Sequence, residues 1–377
     1  GPETHRTSQE LIVSALQDNF CGKLMGVPMG MDPCWTLHSE ISLEAQQMTT
    51  ELLSAAGTGF FMDVYLGVDR MLGYFTTSGH DVQTLREIHG LKPQKAYQRW
   101  AEKYGILTPD GHRGPNFGNP RAFVKDEAEW QRMLKATACA YGFENAGPRP
   151  AKSVARAARL GISLSRRSVR NEMDVNALIP FLGPEFRVFQ TLAHDKDSHL
   201  FDIYLGAQLV EEDLAVLRKS PGHSGADVQV IVSDGLSADA IQYNIPIFLP
   251  ILYSEMTKYG IKYATGGPLV IRYGRVKLAE CIAEATESKL VINLIGERPG
   301  GDASSSRSMS AYMALRLGPN RYEYTVINSI YPDSGMPPEL AAKRVAATAH
   351  FILEFSAAGN RLIKILSDEG LTINTQL

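Results

Sequence analysis

The sequence predicts an α/β protein with a parallel sheet, and three stretches carry that reading. Val228-Gln-Val-Ile-Val-Ser233, ending in Asp234-Gly235, Pro268-Leu-Val-Ile-Arg-Tyr-Gly-Arg-Val-Lys277 and Leu290-Val-Ile-Asn-Leu-Ile-Gly-Glu-Arg-Pro299 each hold a short apolar β-branched stretch that stops at a glycine. Between the last two, Leu278, Ile282 and Ala285 recur at helical spacing, which makes a β-α-β unit. Ser237 can cap a helix running through Ile241 after the first run. Strands alternating with helices are covered on both faces, so a ligand sits beyond their carboxyl ends. Gly235, Gly274-Arg275 and Gly296-Glu-Arg-Pro-Gly-Gly301 then share one edge of a Rossmann-like domain.

The chain opens with an amphipathic helix over 8–23, its stripe formed by Leu11, Ile12, Ala15, Leu16 and Phe20. A short run to Met29, a turn at Gly30-Met-Asp-Pro33, a second helix over 39–56 and a compact Gly59-Phe-Phe-Met-Asp-Val64 follow. That order reads as the C-terminal segment of a (β/α)8 barrel, where functional residues leave the carboxyl ends of the strands. Asp32 and the loop after Met62 fall there. Two strands cannot close a barrel of eight, so the reading expects other polypeptide to complete it.

Residues 107–123 are rich in proline, glycine and asparagine and read as irregular chain. A charged, helix-favouring stretch from Lys125 is the expected connector, so domains are expected over 1–124 and 138–377 with a linker over 125–137. The second domain opens with Glu144–Pro150 and a helix carrying Arg156, Arg159, Arg166, Arg167 and Arg170. Those arginines suit either a solvated or interface face or phosphate binding. Asp195 to Asp197 reads as a loop, and a last helix starts near Pro337.

A length of 377 residues with 44% hydrophobic content fits two ordinary soluble domains. A net charge of -3 gives no electrostatic case for nucleic acid or an acidic membrane. Cys21, Cys34, Cys139 and Cys281 lack Cys-x-x-Cys spacing, which points to a reduced cytoplasmic protein without structural zinc. No apolar run approaches the roughly 18 residues of a membrane span. Residue 1 is glycine and the first methionine is Met25, so either native polypeptide precedes Gly1 or the chain was begun there by choice.

The two halves resemble different subunits of one family, adenosylcobalamin-dependent ethanolamine ammonia-lyase. Residues 138–366 resemble the small subunit through Ala146-Gly-Pro-Arg-Pro150, Asp227–Ser237, Val270-Ile-Arg-Tyr-Gly-Arg-Val-Lys277, Gly296-Glu-Arg-Pro-Gly300 and Val326-Ile-Asn-Ser329. Residues 1–123 resemble the last third of the large subunit through Gly22-Lys-Leu-Met-Gly26, Met29-Gly-Met-Asp32, Leu66-Gly67, Asp69, Met71-Leu72, Thr76-Thr77 and His80-Asp81. The resemblance implies a fusion. It also implies radical deamination of ethanolamine, or a related vicinal amino alcohol, to acetaldehyde and ammonia.

By the same resemblance Asp32 binds substrate and Met62 walls its pocket, while Met71, Val276, Glu297 and Val326 touch the corrinoid. In the family, an adenosyl radical from cobalt-carbon homolysis takes hydrogen from the substrate. The remaining large-subunit barrel is the implied protein partner. An oligomer is implied, in the cytoplasm or within a bacterial microcompartment. Asp110-Gly-His112-Arg-Gly114 falls one residue short of the loop that ligates cobalt through histidine, so no histidine on cobalt is expected.

Some family positions differ. Leu37 replaces an asparagine, Val68 replaces an aspartate, and Phe201–Tyr204 replace a Thr-Arg-Pro-Asp run. These changes leave room for a divergent relative, including a non-catalytic corrinoid-binding or assembly protein. Without the resemblance, Asp32 before Pro33 reads as a turn residue, and Met62 and Met71 as core fillers. Glu297 and Arg298 then read as a surface ion pair, and His38, His80 and His112 as hydrogen-bonded structural groups. Topology alone would also allow a nucleotide-binding protein, although the glycines over 296–301 form no dinucleotide fingerprint.

Overall fold

The structure is a computed structural model of the 377-residue chain. It describes residues 5–64, 67–69, 74–136, 145–146, 149–183, 186–300, 306–332 and 335–373. The chain forms two compact units, Gly1–Arg166 with Gly300–Ala303, and Arg167–Pro299 with Ser304–Leu377.

In the first unit α1 (Ser8–Leu24) starts at a capping box made by Thr7 and Glu10. It leads to β1 (Gly30–Met31), β2 (Trp35–Thr36) and α2 (Leu43–Ala55), which Ser42 caps through the Ala45 amide. The short strands β3 (Phe60–Phe61), β4 (Asp63–Val64), β5 (Tyr74–Phe75) and β6 (Thr77–Ser78) precede α3 (Gly79–His89) and α4 (Lys95–Lys103). Then come α5 (Glu127–Ala136), β7 (Asn145–Ala146), β8 (Arg149–Pro150) and α6 (Lys152–Arg170), which belongs to this unit as far as Arg166.

β1 and β3 pair in parallel around α2, with Gly30 opposite Phe60 and Met31 opposite Phe61. Among the described residues these two strands pair only with each other. Met31 and Phe61 pack with Ala15 and Leu53 from the two helices, which seals one face of the pair. Next to this core Trp35 stacks on Phe75 at 4.2 Å, surrounded by Leu11, Leu37, Ile41 and Val68.

The second unit continues with α7 (Val175–Leu182), β9 (Val188–Gln190), α8 (Lys196–Phe201), α9 (Glu211–Arg218), β10 (Val228–Ser233) and α10 (Ala238–Lys258). It ends with β11 (Leu269–Arg272), α11 (Leu278–Thr286), β12 (Leu290–Gly296), β13 (Met309–Gly318), β14 (Arg321–Ile330), α12 (Pro338–Phe355) and α13 (Gly359–Asp368). One six-stranded sheet runs in the order β14-β13-β12-β10-β11-β9. The pairs among β9, β11, β10 and β12 are parallel, and β13 and β14 add an antiparallel hairpin.

Every residue of β10 and β12 is buried because helices cover both faces. One face packs Val230, Val232, Ile292 and Leu294 against α10 and α12. The other packs Ile231, Leu269, Ile271 and Val291 against α9 and α11. Pro246 and Pro250 each remove a ladder donor inside α10, yet the helix continues to Lys258. Burial of Ile241, Ile245, Phe248, Leu249 and Leu252 offsets that loss.

Expectation and structure differ at four places, the first at Gly30-Met31, expected as a turn and found as strand β1 because it pairs with Phe60-Phe61. Asp195 to Asp197 is not a loop, since the Asp195 side chain caps the Ser198 amide at 2.7 Å and starts α8. The run 59–64 breaks into β3 and β4, whose partners lie in separate two-stranded sheets. The β13–β14 hairpin was not foreseen. Asn320 at φ 52° turns it, a conformation asparagine tolerates.

Candidate functional site

The register of β1 against β3 decides where Asp32 lies. Gly30 stands opposite Phe60 and Met31 opposite Phe61, and the Met62 amide donates to the Met31 carbonyl at 3.1 Å. Asp32 and Met62 therefore leave the carboxyl ends of adjacent parallel strands. Side chains alternate along a strand, so both project from the face opposite the buried Met31 and the half-buried Phe61. Met62 is 56% exposed on that open face.

The Asp32 carboxylate is held from the following loops. The buried Thr76 hydroxyl donates to its Oδ1. Cys34 stands beside it, its thiol pushed up to about 12 by burial first and then by the Asp32 charge and hydrogen bond. A half-buried carboxylate with a fixed oxygen can accept from an ammonium or hydroxyl group. Along β3 a cavity of about 1010 Å³ is lined by Phe60, Phe61, Asp63, Arg86, Trp100 and Phe117. Burial pushes the Asp63 carboxyl up there, and the charge of Arg86 draws it partly back.

Met71 lies outside the described residues. The other three residues assigned to the corrinoid are tied together at one end of the second unit's sheet. Tyr312 on β13 pairs with Val326 on β14 and with Asn293 on β12, so the three side chains share a face. The Tyr312 hydroxyl donates to Glu297 Oε1 at 2.8 Å, and Asn293 Nδ2 donates to the Arg275 carbonyl, next to Val276, at 3.2 Å. Val326 is 43% exposed, while Val276 and Glu297 are half-buried.

Buried, tightly packed glycines flank these groups. A Cβ on Gly296 would come within 2.0 Å of the Ser237 carbonyl oxygen, and one on Gly274 within 2.4 Å of the Ser233 hydroxyl. Only glycine fits at either position. Apolar valines and one carboxylate suit a flat ring fringed with amide groups, because the carboxylate accepts amide N–H and the valines meet the ring.

Sequence reasoning missed Thr76 and Tyr312. Thr76 was visible only as part of a family match, and Tyr312 acts through a hairpin that the sequence did not announce. Among the described residues no group of three His, Cys, Asp or Glu could hold a metal ion. His38 bonds the Thr36 hydroxyl at 3.1 Å, and His112 lies on an exposed turn beside Asp110. Arg170 pairs with Asp197, and Arg159 is exposed. No described helix is long and apolar enough to cross a membrane.

The profile of the ethanolamine ammonia-lyase light chain matches residues 127–363, and that of the large subunit matches residues 1–115. Over 123 residues, 33% of this chain, the chain is 37% identical to the ethanolamine ammonia-lyase large subunits of Escherichia coli (strain K12) and Salmonella typhimurium. It spans 27% of the length of those relatives. The chain belongs to the ethanolamine ammonia-lyase family, and joins a segment of the large subunit to a light chain in one polypeptide.

Proposed function

We propose that the chain is an ethanolamine ammonia-lyase-like enzyme that converts ethanolamine, or a related vicinal amino alcohol, to acetaldehyde and ammonia when the rest of the barrel is supplied. Residues 1–124 act as the closing barrel segment, 138–377 as the Rossmann-like light-chain domain, and 125–137 as their connector. The observation that carries this reading is the match to both subunits, in order, along one chain. The adjacent emergence of Asp32 and Met62 from parallel strands supports it.

In this reading Asp32 accepts from the substrate's ammonium or hydroxyl, Thr76 fixes the carboxylate, and Met62 walls the pocket. Val276, Glu297 and Val326 hold the corrinoid. Bound adenosylcobalamin supplies the radical chemistry, and the chain's residues bind, orient and exclude water. The test is a spectral titration with adenosylcobalamin, followed by acetaldehyde release with and without a co-expressed upstream large-subunit polypeptide. Turnover in the complemented complex, lost in Asp32→Ala, is expected. Absence of turnover there removes the enzymatic claim.

A second reading, a non-catalytic corrinoid-binding or assembly protein, is favoured by one observation. Leu37 and Val68, which stand where the resemblance expects an asparagine and an aspartate, pack into the apolar core around Trp35. Binding of cobalamin without turnover in the complemented complex would select it.

A further inference from the structure

The turn after β11 is built by groups from other elements. Tyr273 sits at φ 58°, a left-handed conformation that strains a bulky aromatic residue. Its amide donates to Asp234 Oδ1 at 2.7 Å and its hydroxyl to Glu172 at 2.9 Å. The Gly274 amide donates to the Ser233 hydroxyl at 3.0 Å, and the Arg275 amide to the Gly206 carbonyl at 2.8 Å. Arg275 Nη2 reaches the His199 carbonyl at 2.5 Å. The next residue is Val276.

Asp234 is 0% exposed, and its Oδ2 has no hydrogen-bond partner among the described residues. A buried carboxylate without compensation is costly. Burial pushes its carboxyl up, while the charge of Lys196 and the Tyr273 amide draw it down. Lys196 is 7% exposed and donates to the Gly235 carbonyl at 3.3 Å, next in sequence to the carboxyl on which its charge acts. A carboxyl group and a lysine amino group are thus both placed in the interior beside this turn.

We propose that Asp234, balanced by Lys196, is a positioning residue that holds Tyr273 left-handed and so sets the Gly274-Arg275-Val276 turn toward the corrinoid. This rests on the reading of Val276 as a corrinoid contact. The Asp234 oxygen fixes the Tyr273 amide at 2.7 Å, and that bond offsets the strain at Tyr273. Glu172 anchors the same residue from its hydroxyl, so the turn is clamped at both ends of one side chain.

The test uses the full chain and three variants, Asp234→Ala, Asp234→Asn and Lys196→Met, read by amide hydrogen exchange, urea unfolding and cobalamin titration. Asp234→Ala is expected to speed exchange over 273–277 by about tenfold while β12 and α12 stay within about twofold, and to weaken cobalamin binding by about tenfold. Asp234→Asn keeps an oxygen for the Tyr273 amide and recovers most of both. Unchanged exchange at the turn in Asp234→Ala, an even loss across the sheet, or no rescue by asparagine would overturn the proposal. Should Asp234→Ala not fold, Lys196→Met decides: faster exchange confined to 273–277 supports the proposal, and none sinks it. Wild-type chain that fails to bind cobalamin removes the corrinoid reading alone, because exchange still judges what Asp234 does to the turn.

Discussion

The Thr76 hydroxyl donates to Oδ1 of Asp32 across 44 residues of sequence. The loop that ends in β6 therefore orients a carboxylate that leaves β1. Asp32 is held from outside its own turn, which fixes the direction of its carboxylate.

Thr76→Val keeps the shape and removes the donor. A hydrogen bond to a charged acceptor contributes about 1.5–3 kcal/mol, so urea unfolding of this variant should show a loss of that order. Thr76→Ser should recover most of it. Equal stability of the valine variant would mean that the bond contributes nothing.

Cys34 is the thiol most affected by Asp32. At about 12, its thiolate is scarce at pH 8, so alkylation should proceed at the exposed Cys21 and leave Cys34 nearly untouched. Asp32→Asn removes the neighbouring charge and should raise the Cys34 rate by about tenfold. Peptide mass mapping after timed iodoacetamide treatment reads both rates.

Tyr312→Phe leaves Glu297 without its 2.8 Å donor and keeps the ring packed between Asn293 and Val326. Cobalamin affinity is expected to fall about tenfold with the unfolding midpoint little changed. An unchanged titration would count against Glu297 as a corrinoid contact.

His199 gives the pH dependence. Burial first, then the charges of Arg275 and Lys196, hold its pKa well below 6.5, so the folded chain keeps it neutral. Below that value the unfolded chain binds more protons at this position than the folded one. Stability is then present above about pH 6.5 and is lost as pH falls toward the depressed folded value, by up to about 1.4 kcal/mol per pH unit. Urea unfolding at pH 7.5 and 5.5 should show this loss, and His199→Asn, which can still donate to Gly235, should flatten it.

The three central strands and their helices could be read from the sequence because burial on both faces needs unbroken apolar runs, and Val228–Ser233 matches β10 residue for residue. The hairpin of β13 and β14 was harder. One strand is buried and the other half exposed, so their patterns differ, and Pro319-Asn320 is a weak turn signal. α8 was hidden because its cap, Asp195, is also a good loop residue.

By itself the sequence determined the α/β class, the edge of the sheet where glycines gather, and the family to which both halves belong. Local composition and ordered motifs suffice for those. Only the tertiary structure decided that Thr76 holds Asp32, that Tyr312 joins Glu297 to Val326, and that Asp234 clamps Tyr273. Each of these contacts crosses between strands or loops distant in the chain, and register and burial, not composition, set which atoms meet.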